Sequence, residues 1–281
     1  MSDMNSKPSF PTANQVNGWS RYFSIYGALW RNSLVREMQF KLNFLLWIVV
    51  ETAWFALQLA FMTVLYSHTE SIAGWTKWQV VLLVGCNFLI QQLFIAIFMT
   101  NIMEISELIR TGKLDFMLLL PINTRFLVTL RKVDLGGFVN AATALVVIGY
   151  SLFRLDHFPS WLDFSLFFIF VIAGVAIHCS LMLLMASVSF WSVKAQGIVW
   201  GYYNLFNIAR LPDTAFRGVY KVIFTFVLPI LLVSNVPARV LTGSLFSWNS
   251  ARWLLVMAVI CYAVSDWVWR FSLRRYTSAS S

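Results

Sequence analysis

The sequence predicts an all-α polytopic membrane protein, with six transmembrane helices, an N-terminal amphipathic helix lying in the interface, and a short helix set in a cytoplasmic elbow. Three observations predict it. Of 281 residues, 59% are hydrophobic and only 12% are charged, about half the charged share of a soluble domain. Mean hydropathy is +0.71, and several runs stay free of charge over the roughly 20 residues a helix needs to cross a bilayer. These runs are continuously apolar, whereas a membrane β-barrel would alternate apolar and polar residues in short strands.

Residues 1–20 are polar and rich in Pro, Ser and Asn, which reads as a disordered cytoplasmic tail. From residue 21 to 43 the pattern is helical. Tyr22, Ile25, Tyr26, Leu29, Trp30, Leu34 and Met38 share one face, and Arg31, Asn32, Arg36, Gln39 and Asn43 the other. A helix of that kind suits the membrane interface. Residues 44–273 hold the spans, at about 44–66, 79–102, 133–153, 161–191, 216–236 and 252–271. The fourth is long and must tilt or project. The fifth is weaker, with Arg217 and Lys221 at its start, Pro229 inside it and Pro237 just after it. Gly197–Ala209 is apolar but too short to span, and is expected to cap the bundle or re-enter the membrane. Residues 274–281 form a second cytoplasmic tail. The first apolar run begins near Asn43, so no cleavable signal peptide is expected.

Six spans put both ends on one side. Lys7, Arg21, Arg31, Arg36 and Lys41 precede the first span. Arg110, Lys113, Arg125, Arg131 and Lys132 follow the second. Lys194, Arg210, Arg217 and Lys221 lie between the fourth and fifth, and Arg270, Arg274 and Arg275 close the chain. The other side has only Lys77, Arg154, Arg239 and Arg252. The positive-inside rule therefore places both termini in the cytoplasm. The same bias explains the net charge of +9 without a nucleic-acid partner. Trp161, Trp248, Trp253, Trp267 and Trp269 sit near span ends, as interfacial anchors do.

One cytoplasmic segment, Glu104–Arg131, organises the rest. Its centre, Phe116-Met117-Leu118-Leu119-Leu120, is as apolar as a span but far too short to be one. Gly112 suits the left-handed end of a helix. Asp115 is placed to cap a short helix over Phe116–Leu119, which Pro121 stops. Asn123 or Thr124 caps the helix that leads on to the third span. The segment thus reads as a stiff elbow. It either offers a surface to something outside the membrane or folds back on its own bundle.

Ile109–Asn123 (IRTGKLDFMLLLPIN) resembles the loop between the second and third spans of permease subunits of type-two ABC exporters, and in particular the small six-span permeases encoded apart from their ATPase. These share an I-R-x-G-x-L-D-x-x-L-x-x-P pattern. Phe224–Ala238 (FTFVLPILLVSNVPA) is similar to the family's fifth span, and Ala209–Pro212 (ARLP) to the turn before it. The likeness covers nearly the whole chain beyond residue 20. It implies that the elbow is a coupling helix that docks on a nucleotide-binding subunit. Carried over by position, the coupling residues are Glu107, Arg110, Gly112, Lys113, Leu114, Asp115, Phe116 and Pro121. Asn123-Thr124 departs from the family's frequent Asn-Pro. The resemblance further implies an ABC ATPase subunit as partner, a second permease subunit (a copy or a relative), and a bacterial inner membrane.

The chain has no phosphate-binding loop of its own. Its one Gly-Lys, Gly112-Lys113, is followed by Leu114 and lacks the upstream glycine that such a loop needs. No cofactor is therefore expected in this chain; ATP and Mg²⁺ belong to the partner ATPase. No catalytic or metal-binding constellation is evident, and Cys86, Cys179 and Cys261 read as small buried apolar residues. Within the spans, ionisable and polar groups are costly. Glu51, roughly 10 Å into the first span by helix rise, lines a path or pairs with a Lys or Arg; pairing is the commoner case. His178 is a relay candidate, although a lone His bonded to a neighbouring helix is commoner. Asn87, Gln91 and Gln92 recur on the second span and face a partner helix or a substrate path. Asp266 and Arg270 are spaced as a helix ion pair. The resulting expectation is the permease subunit of an ATP-driven exporter. An ATP-independent channel or secondary carrier is the alternative, and a membrane scaffold a third class.

Overall fold

A computed structural model describes residues 18–192, 196–243 and 246–276. Lys7 and Lys194 of the charge count, and most of the two expected tails, lie outside these residues. α1 (Gly18–Gln39) leads through a joint at Phe40 into α2 (Lys41–Leu65). The interfacial helix expected over 21–43 therefore stops at that joint, where Phe40 leaves helical geometry (φ −116°, ψ 49°). A hairpin of two-residue strands, β1 (Ser71–Ile72) and β2 (Trp75–Thr76), follows. Its turn residues Ala73 and Gly74 both have positive φ (53° and 82°), the geometry that matches a tight hairpin to strand twist. Trp75 is buried and its carbonyl accepts from Tyr66 Oη at 2.9 Å, which ties the hairpin down.

The next segment is the axis of the fold. α3 (Lys77–Phe94), a π turn (Ile95–Met99), α4 (Thr100–Met103) and α5 (Ile105–Arg110) run on as one rod of 34 residues. At ~1.5 Å per residue that is about 50 Å, well beyond the ~30 Å hydrocarbon core. The rod must project from the membrane at its α5 end. α6 (Lys113–Leu118) and α7 (Thr124–Leu130) turn the chain back into α8 (Leu135–Arg154). α9 (Trp161–Ser187) returns to the elbow end and closes with a 3₁₀ turn, Val188–Phe190. Then come α10 (Gln196–Leu205) with a 3₁₀ turn Phe206–Arg210, a further turn Asp213–Ala215, α11 (Gly218–Val222) with a π turn Ile223–Val227, α12 (Ile230–Thr242) and α13 (Trp248–Arg274).

Burial is graded outward from the rod. Of its most apolar window 83% is buried, and of that of α9 72%, whereas α2 buries only 6%. α8 and α12 pack on the rod, and α9 packs on α12 and α13. Small residues allow the closest approaches, as in membrane helix packing generally. A Cβ added at Gly137 would lie 2.8 Å from the Gln92 carbonyl oxygen and 2.9 Å from the Ala96 Cα and Cβ, so α8 rests directly on the rod's backbone at the π turn. The Asp134 N–H donates to the Ala96 carbonyl at 2.8 Å in the same place. Gly174 on α9 similarly leaves room for Val233 and Ile90.

The expected fifth span, about 216–236, is not one helix. Gly218–Val227 and Ile230–Thr242 meet at 84°, because Pro229 cannot continue a helix and Leu228 leaves helical geometry (φ −119°, ψ 86°). Both ends of this pair return to the hairpin end of the bundle. Before it, Thr214 Oγ1 donates to the Ala73 carbonyl at 2.8 Å, and the Asp213 N–H donates to Asn235 Oδ1 at 2.9 Å. After it, Arg239 pairs with Asp213 and lies over the Trp75 ring, and Gly243 abuts His157 beyond the end of α8. The pair thus enters and leaves on one side. The return crossing is made by α10 and the turn Phe206–Arg210, the stretch that looked too short to span. Ten α-helical residues and five 3₁₀ residues rise about 25 Å, enough to cross most of the hydrocarbon.

Gly137→Ala should lower the melting temperature of the purified protein by several degrees, since overpacking a tight contact costs about 1–3 kcal/mol. Gly149→Ala, with open space around it, should leave the melt unchanged or slightly raised; equal effects would show that the Gly137 contact is slack. In a background lacking the native cysteines, Thr214→Cys should react with an impermeant label from the side where Thr69→Cys reacts. Labelling from the side of Lys113→Cys would restore a single fifth span over 216–236.

Candidate functional site

Two places gather the residues singled out in the sequence. The first is the elbow. Gly112 has φ +68° and is the N-cap of α6, a conformation glycine adopts without strain. Asp115 is therefore in the first turn of α6, in place of the capping role expected of it. Its carboxylate lies over Gly112, 3.7 Å from where a Cβ would sit. α6 ends at Leu118, ahead of Pro121. Asn123 caps α7, its Oδ1 accepting from the Arg125 N–H at 2.9 Å.

The elbow's two arms are clamped at their feet. Glu104 pairs with both Arg131 and Lys132. Buried Asn101 receives the Lys132 N–H at 2.8 Å and donates to the Lys132 carbonyl at 2.7 Å. Ser106 and Ser189 share a hydroxyl hydrogen bond at 2.6 Å, which joins α5 to the end of α9. α1 braces the return arm from outside. Tyr22 Oη accepts from the Asn123 N–H at 3.2 Å, the Tyr22 ring meets Phe126 edge-on at 5.1 Å, and Ser33 Oγ accepts from the Val133 N–H at 3.0 Å.

The side chains of the elbow divide by direction. Leu114 is fully buried, and Met117 packs against the core. Phe116 and Leu119 are 73% and 81% exposed, with Leu118 and Leu120 also open. Leu114, carried over from the resemblance as a coupling residue, therefore faces inward and holds the short helix to the bundle. Glu107 and Arg110 flank the tip as an exposed pair at 2.7 Å. The hydrogen bond from Arg110 holds the Glu107 carboxyl below its ordinary range and raises the guanidinium in turn. Lys113 is exposed beside them.

The second place is a furrow along α2. Two adjoining cavities of about 470 Å³ each share Trp54, Leu57 and Asn207. Their polar lining is Glu51, Gln58, Gln91, Tyr203, Asn204, Asn207 and Arg210. Glu51 accepts from Gln92 Nε2 at 3.2 Å; no Lys or Arg pairs with it among the described residues, contrary to the pairing favoured from the sequence. Of the four expected path residues, Glu51 and Gln91 meet in this furrow. Asn87 does not: it is buried, and its Oδ1 accepts from Ser234 Oγ on α12 at 3.1 Å. His178 is enclosed as well, Nδ1 bonded to Tyr202 Oη at 3.0 Å and the ring stacked on Phe206 at 3.8 Å. The sequence reading missed Gln58, Tyr203, Asn204, Asn207 and Arg210. Their signal was helical spacing, with Gln58 seven after Glu51, and Asn204, Asn207 and Arg210 three apart.

No curated protein and no solved structure matches the chain. The family model described as ABC-2 family transporter protein does match, over residues 52–280. That range runs from within α2 through α13 and takes in the rod, the elbow, the bent pair and the furrow apart from Val50 and Glu51. The fold is that of a multi-pass membrane protein, and this family implies partnership with an ABC ATPase. With most of its length covered by that match, the chain belongs to the ABC-2 transporter family.

Proposed function

We propose that this chain is the transmembrane permease subunit of an ATP-driven exporter in a bacterial inner membrane, working with a separately encoded ATPase that binds ATP and Mg²⁺. The observation that carries the reading is the exposed apolar tip of the elbow. Phe116, Leu118, Leu119 and Leu120 form a run of exposed apolar side chains at the end of a clamped stalk, and a grouped apolar patch of that kind supports a contact surface. The tip residues Glu107, Arg110, Lys113 and Phe116 form the contact, whereas Gly112, Leu114, Asp115 and Pro121 shape and hold it. Closure of two ATPase subunits would swing the elbow as a rigid body. The clamps at Glu104, Asn101 and Ser106 would pass that motion to the rod and α9 with little lost in bending.

Sidedness rests on charge. Moving Arg210, Arg217 and Lys221 to the hairpin end narrows the Lys/Arg bias without reversing it. Both termini and the elbow remain cytoplasmic under the positive-inside rule. The furrow is the proposed path wall. Glu51 and Gln58 lie on α2, the least buried span, and Asn204 and Asn207 face them from α10 and the turn after it; at membrane depth lipid would leave these groups poorly satisfied. A second permease subunit facing α2 would enclose them.

Phe116→Ala should weaken co-purification of the ATPase about tenfold or more, since burying one such side chain is worth about 1.5–3 kcal/mol, and should leave the melt of the permease alone unchanged. Leu114→Ala should do the opposite, lowering the melt through a cavity costing about 2–5 kcal/mol. A lowered melt with full ATPase retention for Phe116→Ala would make the tip internal structure. Native mass measurement of the active complex should find two permease subunits; an active complex with one would remove the proposed partner of α2.

A further inference from the structure

A third cavity, about 530 Å³, lies at the elbow end between α1, α7, α9 and α13. Neither the docking tip nor the furrow uses it. Its polar end is built around two guanidinium groups that share one carboxylate. Arg125 on α7 bonds Asp266 at 3.0 Å and Ser265 Oγ at 2.9 Å, and lies over the Tyr262 ring at 4.3 Å. Arg270 bonds the other oxygen of Asp266 at 2.7 Å. The cluster keeps a net positive charge. Arg125 is only 12% exposed at the side chain, whereas Arg270 is 68% exposed. Arg270 bonds Asp266 through Nε, so the contact with Asp266 does not occupy its terminal nitrogens.

The cleft is also graded in polarity. Its lining residues Tyr262, Asp266 and Arg270, and Val259 just outside it, recur at three- and four-residue spacing on one face of α13, apolar away from the elbow and cationic toward it. Phe98, Ala176 and Cys179 line the cavity along with Tyr262. The flank of α13 is open. Val259 and Tyr262 are 69% and 56% exposed, and Trp267 beyond them is exposed too. A mouth at interfacial depth, cationic at one end and apolar at the other, matches an amphiphile whose head is an anion.

We propose that this cleft holds the phosphate headgroup of an anionic phospholipid from the leaflet on the elbow side, with Arg270 and Arg125 on the phosphate and an acyl chain against Tyr262 and Val259. The site is independent of the transport reading. It also touches the elbow, because Arg125 and Asn123 belong to the helix and cap that end its return arm. Occupancy would tie α7 to α13 through a bound lipid as well as through Asp266.

The test is native mass spectrometry of the full chain released from nanodiscs of equal parts phosphatidylglycerol and phosphatidylcholine. The chain should retain phosphatidylglycerol in preference to phosphatidylcholine. Arg270→Gln should reduce that retention about fivefold, one interfacial cation's share. Arg274→Gln, an exposed cation on α13 outside the cleft, should leave it unchanged, with a thermal melt confirming that each variant is folded. Millimolar glycerol phosphate should not displace the lipid. Equal retention of the two lipids, or equal losses in the two variants, would overturn the site. Displacement by glycerol phosphate would make it a pocket for a soluble anion and overturn the lipid assignment.

Discussion

The rest of the structure depends on the backbone contact between the rod and α8. At Gly137 the two helices touch without an intervening side chain, and they do so where the rod is wound as a π turn. The turn is stabilised from outside its own helix, because the Asp134 N–H supplies a donor to the Ala96 carbonyl. In a medium without water, an unmet carbonyl costs several kcal/mol. The contact therefore sets more than distance. It fixes the start of α8 and the rotation of the lower rod, and thereby the direction in which the elbow leaves the bundle.

The stiffness of the elbow follows from that placement. The rod is too long for the membrane and carries α5 beyond it. Asn101 and Glu104 then bind the return arm to the same rod, one through paired hydrogen bonds to the Lys132 backbone and one through charge. These groups are buried or half-buried, where screening by salt is weakest. Leu114 adds an apolar anchor from the short helix itself. What remains free is the outer face, with Phe116 and Leu119 at its tip. The elbow thus ends as a stiff arm with an apolar outer face.

The opposite end of the bundle is organised by a different cluster. Asp213, Arg239 and Trp75 come from three separate segments and meet beside the hairpin. Asn235 completes the arrangement by accepting the Asp213 N–H and donating to the Leu211 carbonyl. This cluster holds both ends of the bent pair on one side. It obliges the short α10 stretch to make the crossing, and so brings Asn204, Asn207 and Arg210 up against α2. The furrow is thus a consequence of a polar cluster at its hairpin end, where Leu211 belongs to both.

Much of this was legible in the residues. Continuous apolar runs determined the membrane class, and Gly112, Pro121 and Asn123 the angular form of the elbow, because those effects are local in sequence. The spacing of Asp266 and Arg270 already implied their pair. What the sequence left undecided was long-range. The run over 216–236 had the composition of a span, and composition carries no information about which side its ends return to; that was settled by Thr214 on Ala73 and Arg239 on Asp213. Leu114 and Phe116 are alike as apolar residues two apart on a short helix, and only packing against the bundle turned one inward and the other out. Arg125 drew no attention beyond the charge count, because its partners Ser265 and Asp266 are some 140 positions away. The tertiary structure decided these matters because each depends on which helix faces which, a property of the packed bundle that no local stretch contains.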